Sequence, residues 1–369
     1  MQIKHKTHFA AFHKALTLTP NDILNLIDNA NLLGRGGAHF PTGRKWRYTR
    51  EAPGKEKFII CNFDEGEPGT FKDKFIADHN ADLIIEGIAI NAYVIGARKA
   101  YIYLRGEYKY LHSPLEQLIH KYEENFKKID LTIEVFVGAG AYICGDETSI
   151  MNSIEGIRGE PRAKPPFPAQ SGLWECPTSI NNVETLANIP LIVLGKWEKS
   201  HWQDLRLYSL SGNVQKPGVY ELPEGINMQT LIDKGAPKKP IKALFFGCAG
   251  GCLPYRDNSI LSIEEVGKGG AFFGSATIIA IDIDQSIPQV CKNIAEFFVH
   301  ESCGKCTPCR EGTIRMLDLL ERCTLSSEKN QWVKDLAECM EKASFCGLGK
   351  TAGKHIETAL QYFEEEFTC

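Results

Sequence analysis

Three closely spaced cysteines constrain this chain more than any other feature of its sequence. Cys303, Cys306 and Cys309 form a C-x2-C-x2-C run within residues 301–312. Thiolates at this spacing can bind three of the four irons of a [4Fe–4S] cubane, one thiolate to each iron, and Cys346 is the best candidate for the fourth ligand. Four thiolates also suit structural zinc, but zinc sites usually bring two separated C-x2-C pairs. The run therefore favours an iron–sulfur cluster over zinc and indicates a protein that moves electrons.

The composition excludes some classes of protein. The 369 residues are enough for two or three domains. A net charge of −4, from 42 basic and 46 acidic residues, gives no bulk basic field for nucleic acid. Thiols used as metal ligands fit a reducing compartment, and neither a signal segment nor a membrane-spanning apolar run is expected. We therefore expect a cytoplasmic protein that is attached to a membrane, if at all, through partner subunits.

The order of the predicted elements divides the chain into three parts. An α/β part is predicted over 1–204, because strands alternate with helices there and favour a mainly parallel sheet. Short strands between Gly and Pro turns over 205–286 are typical of a small β-grasp domain. Amphipathic helices then predominate over 287–369. Individual predictions are strands over 57–62, 99–104 and 131–137, and helices from Pro20 through Leu33 and over 78–96.

Residues 34–43 form a loop with four glycines and a proline. The spacing matches neither the dinucleotide fingerprint nor the Walker sequence. Glycines let backbone N–H groups approach a phosphate or a flat ring closely. Lys45 adds a cation that suits a phosphate or an anionic reduced flavin. An ordinary tight loop is the alternative.

Two acidic loops follow predicted strands. Residues 62–69 crowd three carboxylates past one strand, and residues 138–148 repeat the arrangement of strand, glycines and acids. Open α/β sheets bind ligands at the carboxyl ends of their strands, so two such loops favour a binding site over solvated acidic loops. Asn181 and Asn182 suit either a helix start or hydrogen bonds to a polar heterocycle. The proline-rich segment 161–168 is either a linker or a support for Lys164 and Phe167 over a ligand.

Together these stretches resemble the flavin- and NADH-binding subunit of respiratory complex I. The diaphorase subunits of NAD-linked hydrogenases and formate dehydrogenases are similar too. The matching segments are 34–46, 62–69, 138–148, 164–169, 181–186 and 301–312. The resemblance implies an NADH dehydrogenase with FMN, NAD(H) and one [4Fe–4S] cluster. It also implies a Rossmann-like FMN/NADH domain, a ubiquitin-like β-grasp domain and a C-terminal helical bundle carrying the cluster.

The resemblance assigns roles to individual residues. The residues expected to contact FMN are Gly34, Gly36, Lys45, Asn62, Asp64, Tyr142, Asn181 and Asn182. Those expected to face NADH are Phe40, Glu67, Glu147, Lys164 and Phe167. The expected cluster ligands are Cys303, Cys306, Cys309 and Cys346. No residue is expected to act as a catalytic acid or base, since hydride can pass directly between nicotinamide and flavin.

Some residues depart from the usual family pattern. His39 stands where glycine is usual, and Asp146 replaces the first of two usual glutamates. Gly66 and Tyr48 also differ from the commoner residues. Gly347, which follows the fourth cysteine, is more typical of the hydrogenase and formate dehydrogenase relatives. A diaphorase subunit of such an enzyme is therefore the alternative to a complex I subunit.

The resemblance also predicts partners. The chain carries no thioredoxin-like [2Fe–2S] domain and no ferredoxin-type extension, so we expect a separate thioredoxin-like [2Fe–2S] subunit and further electron-transfer subunits. Two other classes remain at this point: a zinc-stabilised binding module, and a flavoprotein of this fold with a different partner. The direction of electron flow depends on the partners' potentials.

Overall fold

The chain divides into two compact units. The computed structural model describes residues 5–196, 205–321 and 327–367. The first unit comprises Met1–Gly66 and Phe71–Leu205, and the second comprises Glu67–Thr70 and Arg206–Cys369. A short segment from the first fifth of the sequence therefore belongs to the second unit. The three-domain division at 205 and 287 stays a prediction.

A four-stranded, all-parallel sheet is the centre of the first unit. Its order is β3-β2-β1-β4. The strands are β1 (Phe58–Phe63), β2 (Lys99–Leu104), β3 (Thr132–Val137) and β4 (Thr178–Asn182). The two inner strands are almost entirely buried, as expected when helices cover both faces of a parallel sheet. Asn62 is in register with Asn182, so these two polar residues meet at the carboxyl edge of the sheet.

Helices pack around this sheet, and α4 runs along α8. The helices of the first unit are α1 (Ala10–Ala15), α2 (Pro20–Asn29), α3 (Thr42–Glu51), α4 (Lys72–Ile95), α5 (His112–Lys121), α6 (Glu123–Lys127), α7 (Ser149–Ile154) and α8 (Val183–Val193). Within the described residues, no helix combines the length and the apolarity needed to cross a membrane. The predicted mainly parallel α/β fold is confirmed.

Three sequence predictions differ from the structure in this unit. The helix predicted through Leu33 ends at Asn29, because Asn31 adopts a left-handed conformation with φ of 48°. The helix predicted from residue 78 begins earlier, at Lys72. Its first two residues, Lys72 and Asp73, are charged and buried. Strand β4 was missed, because its polar sequence does not read as a buried strand.

A five-stranded sheet in the second unit has the order β6-β5-β11-β8-β9. Its strands are β5 (Leu205–Gly212), β6 (Gly218–Pro223), β8 (Ile241–Phe245), β9 (Cys252–Pro254) and β11 (Thr277–Asp282), with a separate ladder of β7 (Ile226–Asn227) and β10 (Ile260–Leu261). The first and last strands, β5 and β11, lie parallel and adjacent in the middle. Helix α9 (Met228–Gly235) packs on this sheet through Leu231, and α10 (Ile263–Lys268) through Val266. This arrangement confirms the predicted β-grasp fold.

Helices follow the β-grasp sheet, as predicted. They are α11 (Ile287–Glu301), α12 (Thr307–Glu321), α13 (Ser327–Ala343), α14 (Gly347–Thr351) and α15 (Lys354–Tyr362). Helix α12 packs against α11 and α13, and α14 packs against α12 and α13. The cysteine run precedes and enters α12, while Cys346 immediately precedes α14. The contact of α12 with α14 therefore brings the two cysteine-bearing segments together.

Candidate functional site

The carboxyl edge of the parallel sheet joins two of the loops predicted to bind a ligand. The Asn62 side-chain amide donates a hydrogen bond to the Gly145 carbonyl at 2.8 Å. The side-chain oxygen Oδ1 of Asn62 accepts a hydrogen bond from the backbone amide of Asp64 at 3.1 Å. These bonds hold the end of β1 against the loop 138–148. Two polar loops that are far apart in sequence thus lie on one edge.

The start of α3 is fixed to β4 by polar contacts. The Trp46 indole N–H donates to the Asn181 Oδ1 at 3.1 Å, and the Asn181 Nδ2 donates to the Ser179 hydroxyl at 3.0 Å. The Lys45 ammonium donates to the Ile180 carbonyl at 2.8 Å. Lys45 and Asn181 therefore lie close together, although protein groups already engage the Asn181 side-chain amide.

The glycine loop closes on itself and reaches the same edge. The Gly34 amide donates to the Phe40 carbonyl at 2.9 Å. A Cβ added to Gly36 would lie 3.2 Å from the Cβ of Asn182, so Gly36 allows the loop to approach the end of β4. The Phe40 ring is exposed, with the Arg44 guanidinium 5.8 Å from its centre. The loop thus contributes backbone at the edge and an aromatic ring to solvent.

A buried ion network stands behind the edge, and sequence analysis missed it. The Lys72 ammonium, whose side chain is 1% exposed, lies 2.7 Å from an Asp73 carboxylate oxygen and 3.0 Å from one of Glu184. Asn182 caps α8 by accepting a hydrogen bond from the Glu184 amide at 2.9 Å. The helix-start alternative for Asn182 is therefore confirmed. A lysine and an aspartate that precede the apolar later turns of α4 were the available sequence signal.

Burial and neighbouring charges shift the pKa values in this network. Burial opposes the charge on Lys72, but Asp73, Glu184 and Glu65 outweigh it and raise the pKa of that ammonium. Burial raises the pKa of Asp73, although the ammonium of Lys72 opposes the shift. Burial and then repulsion from Asp73 raise the pKa of Glu65 to about 7. Glu65 nevertheless accepts hydrogen bonds from the amides of Asp73 at 2.7 Å and Lys74 at 3.0 Å, which fix the first turn of α4.

Lys45 also belongs to a group of charges that includes two residues expected to face NADH. The Lys164 ammonium lies 2.7 Å from a Glu147 carboxylate oxygen. Desolvation lowers the pKa of Lys45, while Glu147 raises it and Lys164 lowers it further, so the three charges interact. The Phe167 ring is 53% exposed. The structure therefore brings Glu147 and Lys164 together near Lys45 and leaves Phe167 accessible.

Asp146 and Glu147 have different surroundings although they are adjacent. One Asp146 carboxylate oxygen accepts hydrogen bonds from the amides of Thr148 at 2.9 Å and Ser149 at 3.1 Å, at the start of α7. The Glu147 carboxylate instead forms the ion pair with Lys164. The departure from the usual glutamate at 146 thus falls on a residue that fixes the local backbone.

Tyr142 and Glu67 occupy different parts of the chain. Tyr142 lies in the first unit, with its ring within 3.1 Å of the position that a Gly66 Cβ would take. Glu67 lies in the second unit, where its carboxylate accepts hydrogen bonds from the amides of Cys248 at 3.2 Å and Ala249 at 3.3 Å. Glu67 is therefore anchored to the turn between β8 and β9, while its role toward NADH stays a prediction.

Three of the four predicted cluster ligands, Cys303, Cys306 and Cys309, lie close together. Burial raises the pKa of the Cys309 thiol, a hydrogen bond from Ser302 lowers it, and Cys306 and Cys303 raise it. The Ser302 hydroxyl lies 3.3 Å from the Cys309 sulfur. Cys306, Cys309 and Cys346 are buried, whereas Cys303 is partly exposed.

The spacing of these thiols matters for the kind of centre they can hold. Within residues 5–196, 205–321 and 327–367, no three His, Cys, Asp or Glu side chains converge on a point that one metal ion could occupy. A cubane has a different requirement, because each thiolate binds its own iron at a separate corner. Ser344 lies beside this group, and its hydroxyl is buried without a hydrogen-bond partner among the described residues. Thiols with neighbouring hydroxyl groups fit a cluster whose sulfur atoms accept hydrogen bonds.

Two family profiles match the chain. Residues 27–191 match the Nuo51 FMN-binding domain, and residues 289–369 match the NADH-ubiquinone oxidoreductase-F iron-sulfur binding region. The second match contains all four predicted cluster ligands.

Curated relatives match almost the whole chain, and all three named here are F subunits of NADH-quinone oxidoreductases. The second such F subunit of Rhizobium meliloti (strain 1021) is 41% identical, with 98% of this chain and 91% of the relative covered. The F subunit of Aquifex aeolicus (strain VF5) is 42% identical, with 97% and 88% covered. That of Escherichia coli (strain K12) is 36% identical, with 99% and 88% covered.

A solved structure shares the fold. The crystal structure of an NAD+-reducing [NiFe]-hydrogenase in the H2-reduced state aligns with a TM-score of 0.90 and 35% sequence identity. The match covers 97% of this chain but 64% of the hydrogenase chain, so the present chain spans just under two thirds of that protein's length.

These matches settle the main predictions from sequence. The cofactors are FMN, NAD(H) and a [4Fe–4S] cluster, which confirms the choice of iron–sulfur over zinc. The function is electron transfer from or to NAD(H) through flavin and an iron–sulfur cluster, as predicted. The chain belongs to the family of NADH-quinone oxidoreductase F subunits.

Proposed function

We propose that the carboxyl edge of the parallel sheet holds the flavin and NADH, and that the four cysteines hold the cluster. The observation that carries this proposal is the convergence of Gly36, Lys45, Asn62 and Asn182 at the ends of β1 and β4. When bound, FMN supplies the conversion of a two-electron hydride transfer into single-electron steps. The protein's task is then to orient the flavin and NADH and to stabilise the charge that develops during transfer.

Lys45 is the proposed electrostatic contributor. One of its three N–H groups is bound to the Ile180 carbonyl, which aims the side chain and leaves two donors. Desolvation lowers its pKa, so the ammonium gains from an anionic partner more than an exposed lysine does. A phosphate or an anionic reduced ring is such a partner.

The backbone of three loops is proposed to contact the flavin. Gly34, Gly36, Asn62, Asp64 and Tyr142 lie on these loops or at their strand ends. The Asn62 bonds to Gly145 and Asp64 hold two loops at fixed separation, so their amides keep their orientation before a ligand arrives. Asn181 and Asn182 are proposed to act at the same edge, with their side chains also fixing α3 and α8.

The residues of the first unit that are proposed to face NADH are Phe40, Glu147, Lys164 and Phe167. Glu67, in the second unit, is proposed separately as a residue that contacts NADH. Exposed rings such as Phe40 and Phe167 can pack on the planar groups of the coenzyme. Glu147 can accept a hydrogen bond from the adenosine ribose, and its charge would repel the additional phosphate of NADPH. Lys164 holds that carboxylate in place through the ion pair.

We also propose Cys303, Cys306, Cys309 and Cys346 as the cluster ligands, in a helical domain over 287–369. A cytoplasmic location is proposed because cysteine ligands of this kind need a reducing compartment. Since the curated relatives are named as subunits, the proposed partners are a thioredoxin-like [2Fe–2S] subunit and further electron-transfer subunits of a larger complex.

The test of the sheet-edge proposal is flavin binding by the purified chain. Asn62→Ala removes both bonds that position the loops, so we expect FMN affinity to fall at least tenfold, measured by flavin fluorescence. The matched control is Asn125→Ala, which removes a partly exposed asparagine bonded to His13 in the same unit. Equal FMN affinity in Asn62→Ala and wild type would contradict the proposed site.

A diaphorase role in an NAD-linked hydrogenase is the second candidate, favoured by the structural match to the NAD+-reducing hydrogenase. Affinity purification of the tagged chain from its native host, followed by mass spectrometry, separates the two. Recovery of nickel–iron hydrogenase subunits would favour the diaphorase, and recovery of quinone-reducing membrane subunits the respiratory complex. A homo-oligomer with full physiological activity would contradict both partner proposals.

A further inference from the structure

Two serine hydroxyl groups flank Cys309. The Ser302 hydroxyl lies 3.3 Å from the Cys309 sulfur, and its oxygen accepts a hydrogen bond from the Gly304 amide at 3.3 Å. Ser344, which is 5% exposed, also lies close to Cys309. A Cβ built on Gly349 would lie 2.6 Å from the Ser344 oxygen and 2.8 Å from the Cys309 Cβ. Both hydroxyl groups therefore lie near Cys309.

The Ser344 hydroxyl is an unsatisfied buried donor. It has no hydrogen-bond partner among the described residues, and leaving such a group unpaired in a protein interior is costly. Its backbone amide is already used at the end of α13, where it donates to the Met340 carbonyl at 3.1 Å. The side-chain hydroxyl thus needs an acceptor that the described residues do not supply.

Cluster sulfur is the acceptor that the site can provide. Once Cys309 binds iron as a thiolate it has no S–H, so in the pair with Ser302 the serine must be the donor. The Gly304 amide bond to the Ser302 oxygen leaves that hydroxyl hydrogen available for the sulfur. An inorganic sulfide of a cluster held by Cys309 would give the nearby Ser344 hydroxyl an equivalent acceptor.

We infer that Ser302 and Ser344 donate hydrogen bonds to the sulfur atoms at the Cys309 corner of the cluster and raise its reduction potential. Reduction adds one electron and so increases the negative charge on the sulfur atoms. A donor directed at them stabilises the reduced form more than the oxidised form. The two serines therefore tune the cluster as an electron acceptor without binding iron. This inference rests on the cluster ligands proposed above.

The experiment is a potentiometric titration of the intact protein followed by electron paramagnetic resonance. We expect Ser302→Ala and Ser344→Ala each to lower the equilibrium constant for cluster reduction three- to tenfold, tenfold being about 59 mV for one electron. The double variant should show a larger shift than either single one. Electron–nuclear double resonance in H2O and D2O should lose one strongly coupled exchangeable proton in each single variant.

The matched control is Thr313→Val. Thr313 is 2% exposed and donates its hydroxyl to the backbone carbonyl of Cys309 at 3.0 Å, rather than to sulfur. Its removal deletes a buried hydroxyl of the same helix turn, so iron content and potential should stay as in wild type. Equal shifts in Thr313→Val and in the two serine variants would mean that packing rather than hydrogen bonding to sulfur sets the potential.

Other outcomes separate this inference from the ligand assignment. Full iron content with unchanged potential and unchanged proton couplings in both serine variants would overturn the inference alone. A cluster that persists unaltered in Cys346→Ala would overturn the ligand set instead. If Ser344→Ala assembles no cluster, the Ser302→Ala potential and its proton couplings decide the question independently.

Discussion

At the sheet edge of the first unit, the side chains of Asn62, Asn182 and Lys72 are paired with other protein groups, whereas a buried serine hydroxyl beside the cysteines of the second unit is not. Asn62, Asn182 and Lys72 each have two or more protein partners. Ser344, beside the thiols, has none among the described residues. A network whose members are all paired can keep its shape without a ligand. A site whose donors need the bound group is completed only when that group arrives.

This difference predicts that a substitution can remove one cofactor while the other stays bound. The largest predicted effect is on the cluster. Cys306→Ala should remove essentially all cluster iron while FMN stays bound, because the flavin edge does not use those thiols. Iron and flavin analysis of the purified variant measures this, and NADH-dependent ferricyanide reduction should persist. The control is Cys339→Ala, since Cys339 is exposed and lies outside the cysteine run. Four irons per chain in Cys306→Ala would break the comparison on the cluster side.

The second prediction breaks the paired network of the first unit. Lys72→Met leaves the Asp73 and Glu184 carboxylates buried without their cation, and losing one partner of a buried pair costs about 3–5 kcal/mol. Thermal unfolding, monitored through the release of flavin, should show this loss of stability. Iron content at low temperature should be unchanged. Lys74→Met is the control, because Lys74 pairs with Asp78 at the surface and such pairs contribute about 0–1 kcal/mol. Equal losses in the two variants would contradict a role for the buried network.

The third prediction concerns pH. Because the pKa of Glu65 in the fold is about 7, against 4.5 ordinarily, the folded carboxyl keeps a proton that the unfolded one loses between these values. Stability from this group is greatest below pH 4.5, falls as pH rises to 7, and changes no further above it. The full change is on the order of 3 kcal/mol. Glu65→Gln should make the thermal midpoint depend less on pH between 4.5 and about 7. An unchanged slope in this variant would mean that other groups cause the pH dependence.

The smallest predicted effect is on coenzyme choice. Glu147→Gln should improve the use of NADPH relative to NADH by about 2 kcal/mol, or roughly 30-fold, since it removes one negative charge near the added phosphate. The ion pair with Lys164 keeps the effect at this modest size. The ratio of kcat/KM for the two coenzymes measures it, with FMN content unchanged. Glu155→Gln, at a carboxylate paired with Arg162, should leave the ratio as it is.

Local sequence was sufficient for much of the fold. Strand β2 matches its predicted bounds, and the capping box of Thr19 and Asp22 explains why the predicted start of α2 at Pro20 is correct. The three-residue spacing of the cysteines indicated a cluster because ligand spacing is itself a local property. The β-grasp fold followed from short strands between turns.

Tertiary contacts were not visible in the sequence. The Lys72–Glu184 pair joins residues that are far apart in the sequence, and no local pattern marks the two as partners. Strand β4 is a strand because β1 pairs with it, since its polar residues argue against one. Glu67 was expected to face NADH from the acidic loop 62–69, but its carboxylate is held by a turn of the second unit.

The pairing of β1 with β4 has a consequence for biosynthesis. Phe58 lies opposite Thr178, so translation must add about 120 residues before the central strand finds its second neighbour. At 5–20 residues per second this takes roughly 6 to 24 s. During that interval one hydrogen-bonding edge of this nearly all-apolar strand is unpaired in the nascent chain. Such an edge can bind chaperones or pair with another chain and aggregate. The rate at which ribosomes traverse the messenger RNA between these two strands should therefore influence the yield of folded protein.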